Sequence, residues 1–201
     1  MVPHATLDTI SPWVARWAHL IPPDASVLDV ACGGGRHTRY FAARGCRVMA
    51  VDRDPAAIAA LQDVADARVI DLEIEDTVAA WADARRANTG AGLEASIHSV
   101  DAIIVTNYLH RPLLPLLANA LNPGGVLLYE TFAMGNEAYG KPSRPAFLLQ
   151  PDELLGIGDG LLTTVAFEQG LIEHVSGAKS VVQRLCAVCS AKMMDSICTL
   201  L

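Results

Sequence analysis

Two aspartates and a run of glycines carry the first chemical information in the chain. Asp29 lies in the short apolar run Val27 to Val30, Gly33, Gly34 and Gly35 follow it, and Asp52 closes a second apolar run 17 residues after Gly35. A backbone without side chains turns sharply and lets a ligand reach the main chain, and the free amides of the helix that follows attract negative charge. A carboxylate at the tip of the neighbouring strand can accept hydrogen bonds from two ribose hydroxyls. The stretch Val27 to Asp52 therefore reads as strand, glycine turn, helix and strand, arranged as a cradle for a nucleoside.

A second group of chemistry-bearing residues follows the strongly apolar stretch Asp101 to Val105. The turn Thr106-Asn107-Tyr108-Leu109-His110-Arg111-Pro112 begins there. Open α/β sheets bind ligands at the carboxyl ends of their strands, which aims this turn at the same site. A histidine suits general-base work near neutrality, so His110 is a candidate base, although a histidine at a helix start can equally be satisfied by local backbone. His37, in the opening turn of the first β-flanked helix, has two readings of its own: a ligand contact, or a capping or surface histidine. The third group is the segment from Thr131 to Gln150, longer than an ordinary connection and rich in glycine and proline. Asn136, Glu137, Tyr139, Lys141 and Arg144 make it polar enough to cover a pocket, and Phe132 and Tyr139 could wall one.

The elements that must position these groups follow from periodicity and from helix punctuation. Residues 6–20 pattern as a leading helix with Ile10, Trp13, Val14 and Trp17 on one side, starting at Ser11-Pro12 and broken by Ile21-Pro22-Pro23. Asp54-Pro55 supplies a cap and a first-turn proline for a helix running to Val64 or Ala65. Arg68 to Leu72 reads as a third strand carrying Asp71. Thr77 to Ala87 has helical composition and residues 88–92 signal a loop; residues 75–99 receive no chemistry. A leucine-rich helix from Leu113 to Leu121, the turn Asn122-Pro123-Gly124-Gly125 and a strand Val126 to Glu130 come next. Pro151 to Leu155 reads as a short helix. Leu161 to Glu168 and Ser180 to Cys189 are two strands too close in sequence for a helical crossover, so they should pair antiparallel. Residues 190–201 offer no clear element.

Length and composition bound the function. The chain has 201 residues, of which 52% are hydrophobic, with no uninterrupted run long enough to span a bilayer. One domain, 1–201, accommodates it. A net charge of −7 argues against a surface built for general contact with nucleic acid. Five irregularly spaced cysteines, and an N-terminus without a basic cluster or apolar core, fit a cytoplasmic protein. Cys186 and Cys189 form a CxxC without a second ligand pair, so a buried-strand role is expected and no metal is implied.

The motif Asp29-Val30-Ala31-Cys32-Gly33-Gly34-Gly35 resembles the first motif of class I S-adenosylmethionine-dependent methyltransferases, an acid followed by a Gly-x-Gly turn. Together with VDRD, NYLHRP and YETF…GNE…GKP, it is similar to the small bacterial methyltransferases of the tellurite-resistance type. Ala31 stands where the commonest family form has glycine. The resemblance implies a Rossmann-like, doubly wound, seven-stranded sheet, mostly parallel with a C-terminal antiparallel hairpin. It also implies S-adenosyl-L-methionine as cofactor and S-adenosyl-L-homocysteine as product. The cofactor contacts it implies are Asp29 and Asn107 at the methionine end, with His37 within reach of it. Ala31, Gly33 and Gly35 would lie at the turn, Asp52 at the ribose and Asp71 at the adenine amino group, with Arg53 and Leu72 as further cofactor contacts. Tyr108 and His110 are the implied catalytic residues, acting on a small-molecule acceptor. The competing readings are an NAD-dependent oxidoreductase and a non-catalytic binder of the same cofactor. The dinucleotide fingerprint wants a small residue where Thr38 stands and has no use for Asp29. An RNA methyltransferase would need a local basic patch.

Overall fold

The computed structural model describes residues 9–84, 99–158, 160–174 and 176–190. Strand β1 (Ser26–Val30), helix α2 (Arg36–Ala43) and strand β2 (Arg47–Asp52) form the first β-α-β unit, preceded by helix α1 (Pro12–Trp17). Helix α3 (Pro55–Ala59), strand β3 (Asp66–Val69), helix α4 (Thr77–Ala84) and strand β4 (Val100–Thr106) follow. Helix α5 (Leu114–Leu117) leads into strand β5 (Leu121–Phe132), and strands β6 (Leu162–Glu173) and β7 (Lys179–Cys189) close the chain. The strands form one seven-stranded sheet in the order β3-β2-β1-β4-β5-β7-β6. β3, β2, β1, β4 and β5 are parallel, and β7 runs antiparallel to both β5 and β6. This is the sheet and terminal hairpin that the sequence leads one to expect, and its order reverses between β1 and β4.

Strand alternation divides the core between the two faces of the sheet. Leu28, Val30, Ile103, Val105 and Leu127 pack with Trp81 of α4 and Leu117 of α5, and Val27, Val48, Ala102, Ile104 and Leu128 pack with Trp13 of α1 and Phe41 of α2. β1 and β4 are central strands with both faces covered, which is why they read as nearly unbroken apolar runs. Their fixed register holds the carboxyl-terminal turns after β1, β2 and β4 side by side.

Several boundaries differ from the expected ones, each for a local reason. The leading helix starts at Pro12 because the Ser11 hydroxyl accepts the Trp13 amide at 3.1 Å; the earlier residues 1–8 lie outside the described residues. α3 stops at Ala59, after which the amides of Leu61 and Val64 bond three residues back instead of four. β3 occupies Asp66–Val69 rather than 68–72, since its register pairs Val69 with Asp52, the last residue of β2. Asp71 therefore sits past the strand. The leucine-rich helix is a four-residue α-turn flanked by 3₁₀ turns, Arg111–Leu113 and Ala118–Ala120. Asn122 to Gly125 loops out of β5 as a bulge between the pairs Val100–Leu121 and Ala102–Val126. Cys186 and Cys189 are both buried on β7. The expectations for residues 85–98 and 191–201, including the loop at 88–92 and the end of the helix at Ala87, fall outside the described residues.

Candidate active site

The turn after β1 sets the floor of the site. Ala31, Gly33 and Gly35 all have positive φ, at 52°, 52° and 76°. The Gly33 amide donates to Asp52 Oδ2 at 2.8 Å, while Asp52 Oδ1 accepts the Asp54 amide at 2.9 Å. A carboxylate has about four acceptor positions, so two remain on Asp52 for a ligand. A Cβ placed on Gly33 or Gly34 would meet nothing within 4 Å, which leaves the main chain of the turn open to an incoming group. Gly35 is glycine for another reason: a Cβ there would lie 2.3 Å from Leu61 Cδ2, so it serves packing between the turn and the segment after α3.

A cleft of about 420 Å³ opens above this floor, lined by Ala31, Asp52, Arg53, Asp71, Leu72, Glu73, Asn107 and Tyr108 among others. Seven of the residues that sequence reasoning assigned to the cofactor or to catalysis thus come together here, contributed by four separate turns. Asp71 turns back to accept the Glu73 amide at 2.9 Å, and Arg53 donates to Glu73 at 3.4 Å, which fixes that corner. Asn107 adopts φ 55°, a conformation asparagine tolerates better than most residues, and its amide donates to the Glu130 carbonyl at 2.9 Å. Tyr129 donates its hydroxyl proton to the Tyr108 carbonyl at 2.9 Å. Burial holds the Tyr108 phenol well above the ordinary tyrosine range, so the ring presents a protonated hydroxyl.

A second cleft of about 800 Å³ adjoins the first and shares Glu73, Asn107 and Tyr108 with it. Leu109, Thr131, Phe132 and the loop residues Lys141 to Arg144 and Phe147 complete its wall. The expected long loop therefore does border a pocket, through Phe132, Lys141 and Arg144. Tyr139 is half exposed and is not part of this wall. Asn136 is buried and works as a clamp: its side-chain amide donates to the Pro142 carbonyl at 2.9 Å and its oxygen accepts the Val181 amide at 3.0 Å. Glu73, at the junction of the two clefts, was not singled out from sequence, and only its position two residues after Asp71 could have pointed to it.

Three assigned residues take other places. Asp29 is buried under α2 and accepts the Thr38 hydroxyl at 2.6 Å; it lines neither cleft. Burial raises its carboxyl to about 6, a shift that the Thr38 bonds and nearby Arg36 oppose. His37 is buried as well, its Nε2 accepting the Ser11 amide at 3.2 Å and its Nδ1 lying 3.5 Å from Thr106 Oγ1. Burial, with the nearby Arg36 charge, lowers it to about 3, so it is a neutral strut that carries its proton on Nδ1 and joins α1, α2 and the end of β4. The Ser11 hydroxyl extends the same strut to Glu130, which also takes the Arg184 guanidinium at 2.6 Å. His110 points back to α4, where its Nε2 meets Thr77 Oγ1 at 2.9 Å, and it too lies outside both cleft walls. A separate 760 Å³ hollow lies at the amino ends of the strands around Ser26 and Asp101, far from these groups.

An open parallel sheet with a glycine turn, an acid at the tip of β2 and an antiparallel final hairpin define the class I methyltransferase fold. Residues 27–125 match the model of the methyltransferase domain family. Its fold is similar to that of TehB from Haemophilus influenzae, with a TM-score of 0.66 at 20% identity over 90% of this chain; it spans 63% of TehB's length. It is also similar to coclaurine N-methyltransferase bound to N-methylheliamine and SAH, with a TM-score of 0.58 at 11% identity, covering 88% of this chain and 71% of that one. A stretch of 38 residues is 55% identical to ribosomal RNA small subunit methyltransferase H of Gemmatimonas aurantiaca; it is 19% of this chain and 12% of that protein. No helix among the described residues is long and apolar enough to cross a membrane.

Proposed function

We propose that this chain transfers a methyl group from S-adenosylmethionine to a small-molecule acceptor. The observation that carries the proposal is the junction of the two clefts at Glu73, Asn107 and Tyr108. The smaller cleft has Ala31 at the start of the glycine turn and the free acceptor positions of Asp52 that a nucleoside needs, and the larger leaves room for a second molecule. When bound, the cofactor supplies an electrophilic methyl group: the acceptor's lone pair forms the new bond to carbon, the carbon–sulfur pair returns to sulfur, and a protic acceptor releases one proton.

The protein's own task is then alignment, because the donor is already reactive. Asp52 would hold the ribose by charge-assisted hydrogen bonds, and the Gly33 and Gly34 main chain would admit the amino-acid portion. Asp71 and Leu72 would flank the adenine. Asn107 would orient the end nearest the acceptor, with the Tyr108 ring as the wall between the two ligands. Glu73 is the carboxylate placed at the junction to receive a released proton, directly or through water.

The test is calorimetry with S-adenosylmethionine, S-adenosylhomocysteine and NADH, followed by an acceptor screen that reads S-adenosylhomocysteine formation. Binding of the first two and turnover of a small acceptor are expected. Binding of NADH with neither sulfur compound bound at millimolar concentration would overturn the reading, and cofactor binding without turnover of any acceptor would leave a binding protein.

A further inference from the structure

The larger cleft has a charge pattern that selects the kind of acceptor. Lys141 and Arg144 line it, and among the described residues neither side chain has an ion-pair or hydrogen-bond partner. Elsewhere in this acidic chain the guanidinium groups are mostly engaged: Arg16 and Arg184 with Glu168, Arg111 with Glu153, and Arg44 with the carbonyls of Ala18 and Ile21. Two cations left without carboxylates on one pocket wall depart from that habit.

The backbone of the segment that carries them is anchored on both sides. The Asn136 clamp ties Pro142, next to Lys141, to β7. Arg111 donates to the carbonyls of Ala146 and Leu148 at 2.9 and 2.8 Å while it grips Glu153 with two bonds. Both shoulders of the segment that presents Lys141 and Arg144 are thus anchored to the sheet side of the molecule.

The same cleft also carries a negative charge. Glu73 stands at the junction with the cofactor cleft, which also carries Asp52 and Asp71. The wall also includes the apolar side chains of Leu109, Phe132 and Phe147. A ligand with an anionic group and an apolar body therefore finds a partner for each part, its anion drawn to the two cations and repelled by Glu73. A volume of about 800 Å³ is far more than a simple inorganic oxyanion fills and is that of an organic molecule.

We infer that the acceptor is a small organic carboxylate with an apolar or aromatic body, its carboxylate held by Lys141 and Arg144 and its nucleophilic atom delivered to the Glu73, Asn107 and Tyr108 junction. The inference rests on the methyltransferase reading and deepens it. Both cations are exposed, so the attraction is screened by salt and modest for each group.

The test uses the full chain saturated with S-adenosylhomocysteine. Amino-, mercapto- and hydroxy-substituted benzoates and phenylpropanoates are titrated, each against its uncharged primary amide, and the same pairs are offered with S-adenosylmethionine for turnover. The carboxylates should bind roughly fivefold or more tightly than their amides, a preference that shrinks as salt is raised. The double variant Lys141→Gln/Arg144→Gln should lose the preference while its affinity for S-adenosylhomocysteine stays the same. Equal binding of acid and amide, tighter binding of the amides, a preference that survives the double variant, or binding of S-adenosylhomocysteine with no carboxylate bound would each overturn the inference. Failure of S-adenosylhomocysteine itself to bind would instead remove the methyltransferase reading beneath it.

Discussion

Gly33 donates its amide proton to Asp52 across 2.8 Å, so the acid at the tip of β2 holds the glycine turn after β1 in place before any ligand arrives. One side chain thereby serves both the shape of the cradle and its affinity. Asp52→Ala should weaken S-adenosylhomocysteine binding by about tenfold to a hundredfold, the loss of charged hydrogen bonds worth about 1.5 to 3 kcal/mol. It should also lower the melting temperature, since the Gly33 and Asp54 amides lose their acceptor. Asp52→Asn keeps one acceptor oxygen for those amides but loses the charge, so it should restore part of the stability and little of the affinity. Calorimetry and thermal unfolding on the two variants separate the two roles.

Ala31 has φ 52°, whereas the other non-glycine residues with positive φ, Asp24, Asn107 and Asp152, are types that tolerate that conformation. Only glycine adopts it without a Cβ penalty of about 1 to 2 kcal/mol, from which its greater freedom in the unfolded chain subtracts about 0.5 to 1 kcal/mol. Ala31→Gly should therefore stabilise the fold by roughly 1 kcal/mol. Chemical denaturation would show it as a raised midpoint at constant slope. A lowered midpoint would mean that the alanine methyl contributes packing at the cleft wall that outweighs its strain.

Asp29 and His37 tilt the pH dependence of stability in opposite directions. The Asp29 carboxyl is raised to about 6, so between its unfolded value near 3.8 and 6 the native state binds the extra proton and stability falls as pH rises. His37 is lowered to about 3, so between 3 and its unfolded value near 6.5 the unfolded state binds the extra proton and stability rises with pH. From about pH 4 to 6 the two slopes, each about 1.4 kcal/mol per pH unit at most, largely cancel. Asp29→Asn should leave the His37 slope, making the variant lose stability on acidification. His37→Gln should leave the Asp29 slope, with stability declining from pH 4 to 6. Denaturant midpoints measured across that range check both signs.

The strands and the glycine turn were legible because a strand covered on both faces must be apolar throughout, and β1 and β4 are. The hairpin was legible from the shortness of its connection. What sequence could not supply was the direction of individual side chains at the strand tips. Asp29 and Asp52 look equivalent as acids beside a glycine turn, yet strand alternation sends Asp29 under α2 to Thr38, while Asp52, at the end of β2, reaches the cleft. Asp71 was placed within a strand but lies beyond one, because β3 runs out of partner at Asp52. Lys141 and Arg144 were visible as loop charges, but their lack of carboxylate partners and the Asn136 and Arg111 anchors exist only in three dimensions.

His110 and Tyr108 are two residues apart, and they face different surroundings. Tyr108 lines both clefts, whereas the His110 ring is engaged with Thr77 of α4. A general base must come within hydrogen-bond reach of the proton it removes, and its loss usually costs about 100- to 10,000-fold in rate. With its ring turned away from the junction, His110→Gln should change kcat by no more than a few-fold while lowering stability by about 1 kcal/mol through the lost Thr77 contact. Tyr108→Phe keeps the wall and should retain most of the rate, but Tyr108→Ala removes it and should lower kcat and raise KM together. A drop in kcat of about 100-fold or more in His110→Gln, with cofactor affinity and folding intact, would return His110 to the chemistry and require the turn after β4 to rearrange when the acceptor binds.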